Sequence, residues 1–451
     1  MDRGLCRQIL IGVVCNLLIV DCGLHEGWST PAIARLSNGS DPLRIDQEEI
    51  AWLVNFMYVG LGLGSLLPLF LMDRIGRKGT LIVGTVPKVA SWLLIGFAGD
   101  TGLLLLGRCL AGIGCGVTYA VMPMYLGEIS STRSRGPLGT LLAVLLNIGM
   151  LLIYVLGLIL DRFQVAMMAV CLPIVFLLSF IWLPETSVFL TKKNRLRSAE
   201  RTLKWSLAKE DVGAELEEVK RIVATEERAE KMTLIGGLRE MCMSRRNRRA
   251  FAISTILLSA MSLTGAAPIL AFQSYIFDEA GFRISTNASI ILTGCAIVLG
   301  GSFCVGLLPK TGRKLLLLIS APSCFLSLLV LAIFFNFKNS GYDLENFTWL
   351  PTVFLVGYVF SYGLGLNPIP LAYIGEIFPV DVKVPAAIYS ALYYAITTAA
   401  NVEFYQMAQK NFGTHAPLWV YTIITFILWI LLYLFVPETE GKTLEEIQLE
   451  L

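Results

Sequence analysis

The sequence has little charge and few groups that perform chemistry. Only 16% of its 451 residues are charged, and its two histidines are His25 and His415. A typical soluble domain carries about 25% charged residues. We find no nucleotide-binding loop, no cluster of metal ligands and no nucleophile elbow. The ten cysteines form no C-x-x-C pair, and none lies in a predicted outer loop. These absences argue against an enzyme, a metal or cofactor site, nucleic-acid binding and a disulfide framework.

Long apolar stretches fill most of the chain. Hydrophobic residues make up 55% of the sequence, and the mean hydropathy is +0.68. Stretches near the about 20 residues needed to cross a bilayer recur throughout. The first is not a signal peptide, because ionisable residues interrupt it and no cleavage site follows. We predict an all-α membrane protein with twelve spans, at 9–33, 49–72, 80–98, 102–126, 138–160, 164–183, 250–277, 288–308, 315–335, 350–374, 385–408 and 416–436.

The distribution of charge predicts the orientation of these spans. Basic residues concentrate at 74–78, 133–135, 192–249 and 310–314, all on one side of the twelve-span arrangement. By the positive-inside rule that side is cytoplasmic, as are both termini. All three N-x-S/T sequences fall in predicted outer loops, which agrees with this orientation. The candidate glycosylation sites are Asn38, Asn287 and Asn346.

An internal duplication divides the chain. Two parallel six-span halves are typical of transporters that bind substrate between the repeats near the membrane midplane. Three motifs occur once in each half, namely "RIGRK" (74–78) and "KTGRK" (310–314), "YLGEI" (125–129) and "YIGEI" (373–377), and "LPET" (183–186) and "VPET" (436–439). The predicted units are an N-terminal half 1–183, cytoplasmic linker helices 184–249, a C-terminal half 250–436 and a cytoplasmic tail 437–451.

Seven motifs resemble the sugar porter branch of the major facilitator superfamily, particularly insect trehalose and glucose transporters. The motifs are "DRIGRK" (73–78), "GRCLAGIGCG" (107–116), "PMYLGEIS" (123–130), "RGPLG" (135–139), "PETSVFL" (184–190), "NPIPLAYIGEIFP" (367–379) and "VPETEGKTLEEI" (436–447). They follow the family's order and spacing along the whole chain. The resemblance implies a twelve-helix facilitator bundle in the plasma membrane. It also implies that the bundle moves a small neutral solute, trehalose or glucose by default, by alternating access.

Charged residues at the cytoplasmic helix ends are candidates for gating. Opposite charges there can lock one conformation and separate when the inner gate opens. We favour this role over a purely topological one because the acid–base pattern repeats in both halves. The candidates are Asp73, Arg74, Arg77, Lys78, Arg108, Glu128, Arg135, Glu376 and Lys383.

The sugar site departs from the family pattern. The resemblance implies amides and indoles as sugar contacts, but these positions hold Ala143, Met261, Ser262, Ala267, Leu371, Tyr394 and Ala395. Other polar or aromatic side chains in the spans are alternative contacts, although each could instead join helices. The candidate substrate contacts are Gln273, Asn147, Asn367, Asn401, Thr264 and Trp28, with Asn16 and Gln406 as further polar groups.

The stretch "DCGLHEGW" places Asp21, His25 and Glu26 inside the first span. Asp21 and His25 are four residues apart and therefore share one helical face. In a wet cavity they would form a proton-binding pair, and proton-coupled members of the family place an acid in the same span. The alternative is that Glu26 extends to the outer rim while Asp21 makes a structural hydrogen bond.

We therefore favour a transporter. Its partners are the lipid bilayer and a small-molecule solute, which by resemblance is a sugar. One alternative is a non-transporting sugar sensor, although sensor relatives carry long signalling tails and this tail stops at Leu451. The other is a transporter of a non-sugar solute that is coupled to protons.

Overall fold

The helices of the N-terminal half account for the first six predicted spans. The computed structural model describes residues 3–37, 39, 41–43, 45–130, 132–229, 245–281, 285–378, 382–440, 442 and 446. In the N-terminal half the helices are α1 (Arg3–Gly27), α2 (Ser29–Ser37), α3 (Gln47–Phe97), α4 (Thr101–Ile129), α5 (Thr132–Ile159), α6 (Arg162–Ala169) and α7 (Cys171–Phe180). Span 1 consists of α1 and α2. The two arms of α3 form spans 2 and 3. Span 4 is α4, span 5 is α5, and span 6 consists of α6 and α7.

The C-terminal half repeats this arrangement after a linker that has three helices among its described residues, 184–229 and 245–249. The linker helices are α8 (Ser187–Lys192), α9 (Leu196–Leu207) and α10 (Gly213–Ala229). The helices that follow are α11 (Arg245–Ser262), α12 (Ala266–Ala280), α13 (Thr286–Thr311), α14 (Arg313–Asn339), α15 (Trp349–Ser361), α16 (Pro368–Ile377), α17 (Lys383–Phe412) and α18 (His415–Phe435). Spans 7 and 10 are each built from two helices, α11 with α12 and α15 with α16, and the other four helices are spans 8, 9, 11 and 12.

The prediction of twelve spans is confirmed. Among the described residues, ten stretches are long and apolar enough to cross a membrane. One of them, Glu49–Phe97, is 49 residues long and contains a non-helical break at Gly76, so it supplies two spans. The remaining span is α17, a 30-residue helix of lower hydropathy. Its lower hydropathy reflects the polar side chains that it carries between the two halves.

Small residues let spans 2 and 4 approach closely. Gly60 and Gly64 pack against the carbonyl oxygens of Cys109 and Ile113, and a methyl group at either glycine would overlap them. Gly112 and Gly116 on span 4 pack in the same way against the backbone of span 2. Each helix thus presents glycines four residues apart. This is the small-residue pattern that brings membrane helices into backbone contact.

The duplicated motifs build the same structure in each half. At the turn before spans 3 and 9, Gly76 and Gly312 have φ values of +82° and +79°, a conformation that favours glycine. A glutamate from the "PET" motif caps the helix that follows each turn. Glu185 accepts a hydrogen bond from the backbone N–H of Lys78 at 3.1 Å. Glu438 accepts one from Lys314 N–H at 2.9 Å.

The tyrosines of the repeated "Y-x-G-E-I" motif also occupy equivalent positions. The Tyr125 hydroxyl donates to the carbonyl of Pro184 at 2.9 Å, and the Tyr373 hydroxyl donates to that of Pro437 at 2.8 Å. Each tyrosine therefore ties the end of the fourth span of its half to the chain that leaves the sixth. The sequence repeat is a structural repeat.

Replacing the Glu438 carboxylate should destabilise the C-terminal half in a pH-dependent way. Partial burial raises the pKa of Glu438. Hydrogen bonds from the backbone N–H groups of Glu440, Arg313, Lys314 and Thr439 outweigh this effect, so that the pKa lies below its usual range. A carboxylate with a lowered pKa stabilises the fold above its unfolded pKa of about 4.3, and this stabilisation is lost as the pH falls. We expect Glu438→Gln to lower the free energy of unfolding by about 0.5–2 kcal/mol at pH 7.5.

Thermal unfolding of purified protein across pH 3.5–7.5, about the range that spans this titration, measures the effect. The difference from wild type should shrink toward the acid end. Glu217→Gln, at an exposed linker position, is the control and should behave as wild type. An equal loss for Glu438→Gln at every pH would contradict the capping role.

Candidate substrate cavity

A cavity lies between the two halves, near the middle of the bundle. Its empty volume is about 580 Å³. Its wall comes from spans 1, 2, 4 and 5 of the N-terminal half and spans 7, 8, 10 and 11 of the C-terminal half. Equivalent spans of the two repeats therefore face each other across it. This is where a transporter built from parallel repeats binds its solute.

Four tyrosines, Tyr58, Tyr154, Tyr362 and Tyr394, form the aromatic part of the wall. Tyr58 and Tyr394 come from opposite halves and meet edge to face, with ring centroids 6.3 Å apart. The Tyr362 hydroxyl donates to the carbonyl of Met261 at 2.9 Å. The Tyr154 hydroxyl is buried beside the side chains of Thr30 and Gln273 but makes no well-formed hydrogen bond in the described structure. It can therefore still pair with a ligand.

Two of the predicted amide contacts also have free hydrogen-bonding capacity beside the cavity. Gln273 is fully buried, and its Oε1 accepts from the Thr293 hydroxyl at 2.5 Å. Its side chain also lies beside Tyr154, although Nε2 makes no well-formed hydrogen bond in the described structure. Asn147 of span 5 donates to the carbonyl of Ile297 in the other half at 3.3 Å, and its Oδ1 has no hydrogen-bond partner in the described structure. Asn367 lies on the cavity wall itself. These placements agree with the prediction but do not test it.

Other predicted substrate contacts join helices instead. Asn401 donates to the carbonyl of Ser262 at 2.7 Å and so links span 11 to span 7. The Thr264 hydroxyl donates to the carbonyl of Ala260 within its own helix. Trp28 lies under the guanidinium of Arg108, 5.2 Å from the ring centroid. None of these three residues lies on the cavity wall.

Glu26 lies on the cavity wall, where its Oε1 accepts a hydrogen bond from the Tyr119 hydroxyl at 2.6 Å. The alternative that Glu26 extends to the outer rim is therefore wrong. The Tyr119 hydroxyl, from span 4, holds the carboxylate inside the bundle. Among the described lining residues, Glu26 is the one acid.

Arg108 belongs to the cavity and not to the cytoplasmic charges. Its guanidinium donates to the carbonyls of His25 at 2.6 Å and Leu53 at 3.1 Å, and to the Ser29 hydroxyl at 2.8 Å. One side chain of span 4 thereby holds spans 1 and 2. The structure separates Arg108 from the predicted gating charges, because it lies near the start of span 4 while Glu128 lies at the end of the same helix.

Asp21 and His25 lie within reach of each other, as their spacing predicts, but not in a wet cavity. Both side chains are fully buried, and neither lies on the cavity wall. The partner of Asp21 is Lys88 of span 3, whose Nζ lies 3.2 Å from Asp21 Oδ2. His25 Nε2 is 3.8 Å from the same oxygen, and its ring stacks on Trp92 with centroids 4.0 Å apart. Trp92 Nε1 donates to Asp21 Oδ1 at 2.8 Å.

The predicted gating charges that are described make contacts within the N-terminal half. Arg77 Nε lies 3.0 Å from Glu128 Oε1, which joins spans 3 and 4. Lys192 of the linker lies 2.9 Å from Asp73. The Lys78 ammonium donates to the carbonyl of Ile181 at 2.7 Å. Arg74 is exposed.

Several predicted positions lie outside the described residues or side chains. Among the gating candidates these are the side chains of Arg135, Glu376 and Lys383, and among the glycosylation candidates it is Asn38. The other glycosylation candidates, Asn287 and Asn346, are both exposed. Glycosylation itself and the gating role therefore stay predictions.

Toward the outer side, hydrogen bonds join the two halves. The Thr30 hydroxyl donates to the carbonyl of Leu270 at 2.7 Å, and Ser37 is hydrogen-bonded to the Tyr275 hydroxyl. Asn55 of span 2 donates to the Glu403 carboxylate of span 11 at 3.1 Å. Thr30 and Leu270 themselves line the cavity. A cavity that opens toward the predicted outer surface would break these contacts between the halves.

The family of the chain follows from its sequence match. Residues 17–451 match the family described as "Sugar (and other) transporter". The chain belongs to this sugar transporter family. It is therefore a multi-pass membrane transporter and not an enzyme, as the sequence predicts.

Insect relatives of this sugar transporter are known. It is 30% identical over 443 residues to a facilitated trehalose transporter of Polypedilum vanderplanki, covering 98% of this chain and 87% of that protein. It is 31% identical over 450 residues to the protein of the same description from Aedes aegypti, of which it covers 54%. This chain therefore spans about half the length of some of its relatives and most of others.

Solved structures share the fold of the transporter. The proton:xylose symporter of the major facilitator superfamily, bound to 6-bromo-6-deoxy-D-glucose, superimposes with a TM-score of 0.77 at 19% identity over 98% of both chains. The inward-open xylose transporter from E. coli has a TM-score of 0.77 at 18% identity over 98% of this chain and 99% of that chain. The predicted facilitator fold is confirmed.

Sequence reasoning missed Lys88 of the buried ion pair and three of the tyrosines that line the transporter's cavity. Lys88 is a single cation within an apolar span ("GTVPKVASWLL"), which by itself indicates a buried partner. Tyr394 stands where the family has a sugar contact, but the other three tyrosines have no comparable signal, because a tyrosine in a span is as common in helix packing as in a ligand site. Only their convergence from four spans marks them.

Removing the outer hydrogen bond of Thr30 should favour opening of the outer side. Thr30→Val keeps the shape of the side chain but loses the bond to Leu270. A hydrogen bond contributes about 0.5–1.5 kcal/mol, so the ratio of outward-open to closed molecules should rise about 2- to 12-fold. Distances between spin labels at Trp52 and Met407, exposed positions on spans 2 and 11 of opposite halves, measure this ratio.

The matched control is Thr85→Val, since the Thr85 hydroxyl is buried and donates only to the carbonyl of Leu81 in its own helix. The control should give the wild-type distance distribution. If Thr30→Val also left the distribution unchanged, the Thr30 contact would not be part of the outer gate.

Proposed function

We propose that this chain is a facilitative transporter that moves a small neutral sugar across the plasma membrane by alternating access, with both termini cytoplasmic. The family match supports transport, and the names of the insect relatives support a sugar as the solute. The positive-inside distribution of Lys and Arg supports the orientation. The cavity between the repeats is the proposed site.

The observation that carries the proposal is the chemistry of the cavity. A sugar ring offers hydroxyl groups around its edge and flat C–H faces, and it binds best to polar side chains combined with aromatic rings. The tyrosine rings supply apolar faces. The side chains of Tyr154 and Gln273 lie beside each other, but the Tyr154 hydroxyl and Gln273 Nε2 make no well-formed hydrogen bond in the described structure, and a buried polar group is favourable only when it is hydrogen-bonded. A bound hydroxyl compound would satisfy them.

The tyrosines also account for the loss of the family's sugar contacts. The resemblance places an asparagine where this chain has Tyr394, and Tyr394 lies on the cavity wall. Tyrosine can both donate and accept a hydrogen bond through its hydroxyl. We propose that the site has exchanged amide contacts for tyrosine contacts, so that its preference among sugars differs from that of relatives with the usual amides.

Alternating access follows from the arrangement of the halves. The contacts of Thr30 and Asn55 hold the outer ends of the halves together. Within each half, the Gly-mediated packing and the Tyr–Pro and Glu–backbone hydrogen bonds keep the six spans together. The halves therefore move as units, and the cavity is exposed to one side at a time.

The alternative of proton coupling through Asp21 and His25 has lost its structural support. Both residues are buried away from the cavity, and Lys88 occupies the position beside Asp21. The sensor alternative differs from transport in one observable, because a sensor binds sugar without moving it. Uptake of a panel of labelled sugars and polyols by oocytes at two external pH values separates the three functions.

Removing the Tyr154 hydroxyl should weaken binding of the transported sugar. Tyr154→Phe removes one hydrogen bond of about 0.5–1.5 kcal/mol, so KM should rise about 2- to 12-fold with little change in surface expression. Tyr358→Phe is the control, because its hydroxyl donates to the carbonyl of Thr264 at 3.0 Å away from the cavity wall.

The control should keep the wild-type KM even if its stability falls. Wild-type KM in Tyr154→Phe would place the sugar elsewhere. The absence of uptake for every sugar, together with saturable binding, would support the sensor instead.

A further inference from the structure

A group of ionisable side chains lies inside the N-terminal half, away from the cavity. Asp21 of span 1 and Lys88 of span 3 are both fully inaccessible to solvent, and their charged atoms are 3.2 Å apart. A charge in the membrane interior is retained only where it has a partner or a function. The pair is not required by the proposed sugar site, because neither residue lies on the cavity wall.

The ammonium group of Lys88 is fully coordinated by span 1. In addition to Asp21 it donates to the carbonyl of Leu18 at 3.1 Å and to the Cys22 thiol at 2.9 Å. An ammonium has three N–H donors, and these three acceptors use them all. On the other side of the carboxylate, Trp92 donates to Asp21 Oδ1. Both ring nitrogens of the neighbouring His25 lack a hydrogen-bond partner in the described structure, but the charges of Lys88 and Asp21 contact each other directly.

Among the described residues, Asp21 is the acid in direct contact with Lys88. Glu26, on the same helix, also interacts electrostatically with Lys88, but its carboxylate lies on the cavity wall and accepts from the Tyr119 hydroxyl. His25 Nε2 is 3.8 Å from Asp21, and Cys22 packs against Cys115 of span 4. Span 4 also contributes Arg108, which binds the carbonyl of His25. Span 5 packs against span 1 through Leu146 and Gly149.

We propose that Lys88 is a tethered counter-ion that takes the place of a transported cation at Asp21. A carboxylate in this position could otherwise be buried only by binding a proton or another cation from solution. Because the ammonium is covalently attached to span 3, Asp21 stays charged and paired in every conformation of the half. Asp21 therefore takes up no proton during transport. This inference rests on the proposed facilitative transport and supplies a reason for it.

Removing the ammonium should create a proton requirement that wild type lacks. In Lys88→Met the Asp21 carboxyl is buried without a partner and is accommodated only in its neutral form. A group that is neutral in the folded protein and ionises in the unfolded chain makes the fold less stable as the pH rises. We expect the unfolding midpoint to fall by about 6–10 °C relative to wild type at pH 7.5. Most of this difference should disappear near pH 5.

The double variant Asp21→Asn with Lys88→Met should restore a wild-type pH profile, since it contains neither charge. Lys310→Met, at an exposed position, controls for the loss of a lysine. Thermal unfolding of purified protein at pH 5 and pH 7.5, about 2.5 units apart, needs no solute and is the primary measurement. Uptake of the transported sugar is the second measurement. Uptake by Lys88→Met should rise as the external pH is lowered, more steeply than in wild type.

Each result has a defined meaning. If Lys88→Met cannot be purified but the double variant can, the two charges depend on each other as proposed. A pH profile of Lys88→Met that matches wild type, or a double variant no better than Lys88→Met, overturns the proposal. If no sugar is taken up by wild type while the stability results hold, the proposed function fails and the counter-ion role stands.

Discussion

The interior of a bilayer offers no water to hydrogen-bond, and this constraint determines most of the structure. Every polar group that enters the membrane has to find its partner in the protein. Lys88 and Asp21 neutralise each other, and Trp92 occupies the second carboxylate oxygen. Arg108 binds backbone carbonyls of two neighbouring spans. These side chains therefore hold the spans of the N-terminal half together while they satisfy their own charges.

The same constraint explains what is special about the cavity. Buried polar atoms without a well-formed hydrogen bond, such as the Tyr154 hydroxyl and Gln273 Nε2, are unfavourable in a membrane protein. In this chain these two atoms lie beside a cavity between the two halves. The charged side chains of Lys88, inside the N-terminal half, and Arg108, on the cavity wall, instead have several partners each. The groups at the cavity that still lack a good hydrogen bond are the ones that a bound solute would pair.

The sequence alone predicted the architecture well and the site poorly, for physical reasons. Span length and the repeated "PET" and "Y-x-G-E-I" motifs are local signals, and the structure shows the repeated contacts that they make. The pairing of Asp21 with Lys88 joins different spans, and helical spacing pointed to the nearer His25 instead. The tyrosine cavity depends on how spans of both halves converge. The family pattern directed attention to amide positions, of which Asn401 serves as a link between helices.

The central claim is that a sugar binds in the tyrosine-lined cavity and that the cavity opens to each side in turn. The most direct test is the alkylation of a cysteine that replaces Ala267 on the cavity wall. A small impermeant reagent should react with it from outside in intact cells and from inside in inverted vesicles. The transported sugar should slow both reactions, whereas a sugar that is not transported should slow neither. Reaction from one side only, or rates that no sugar changes, would contradict the account.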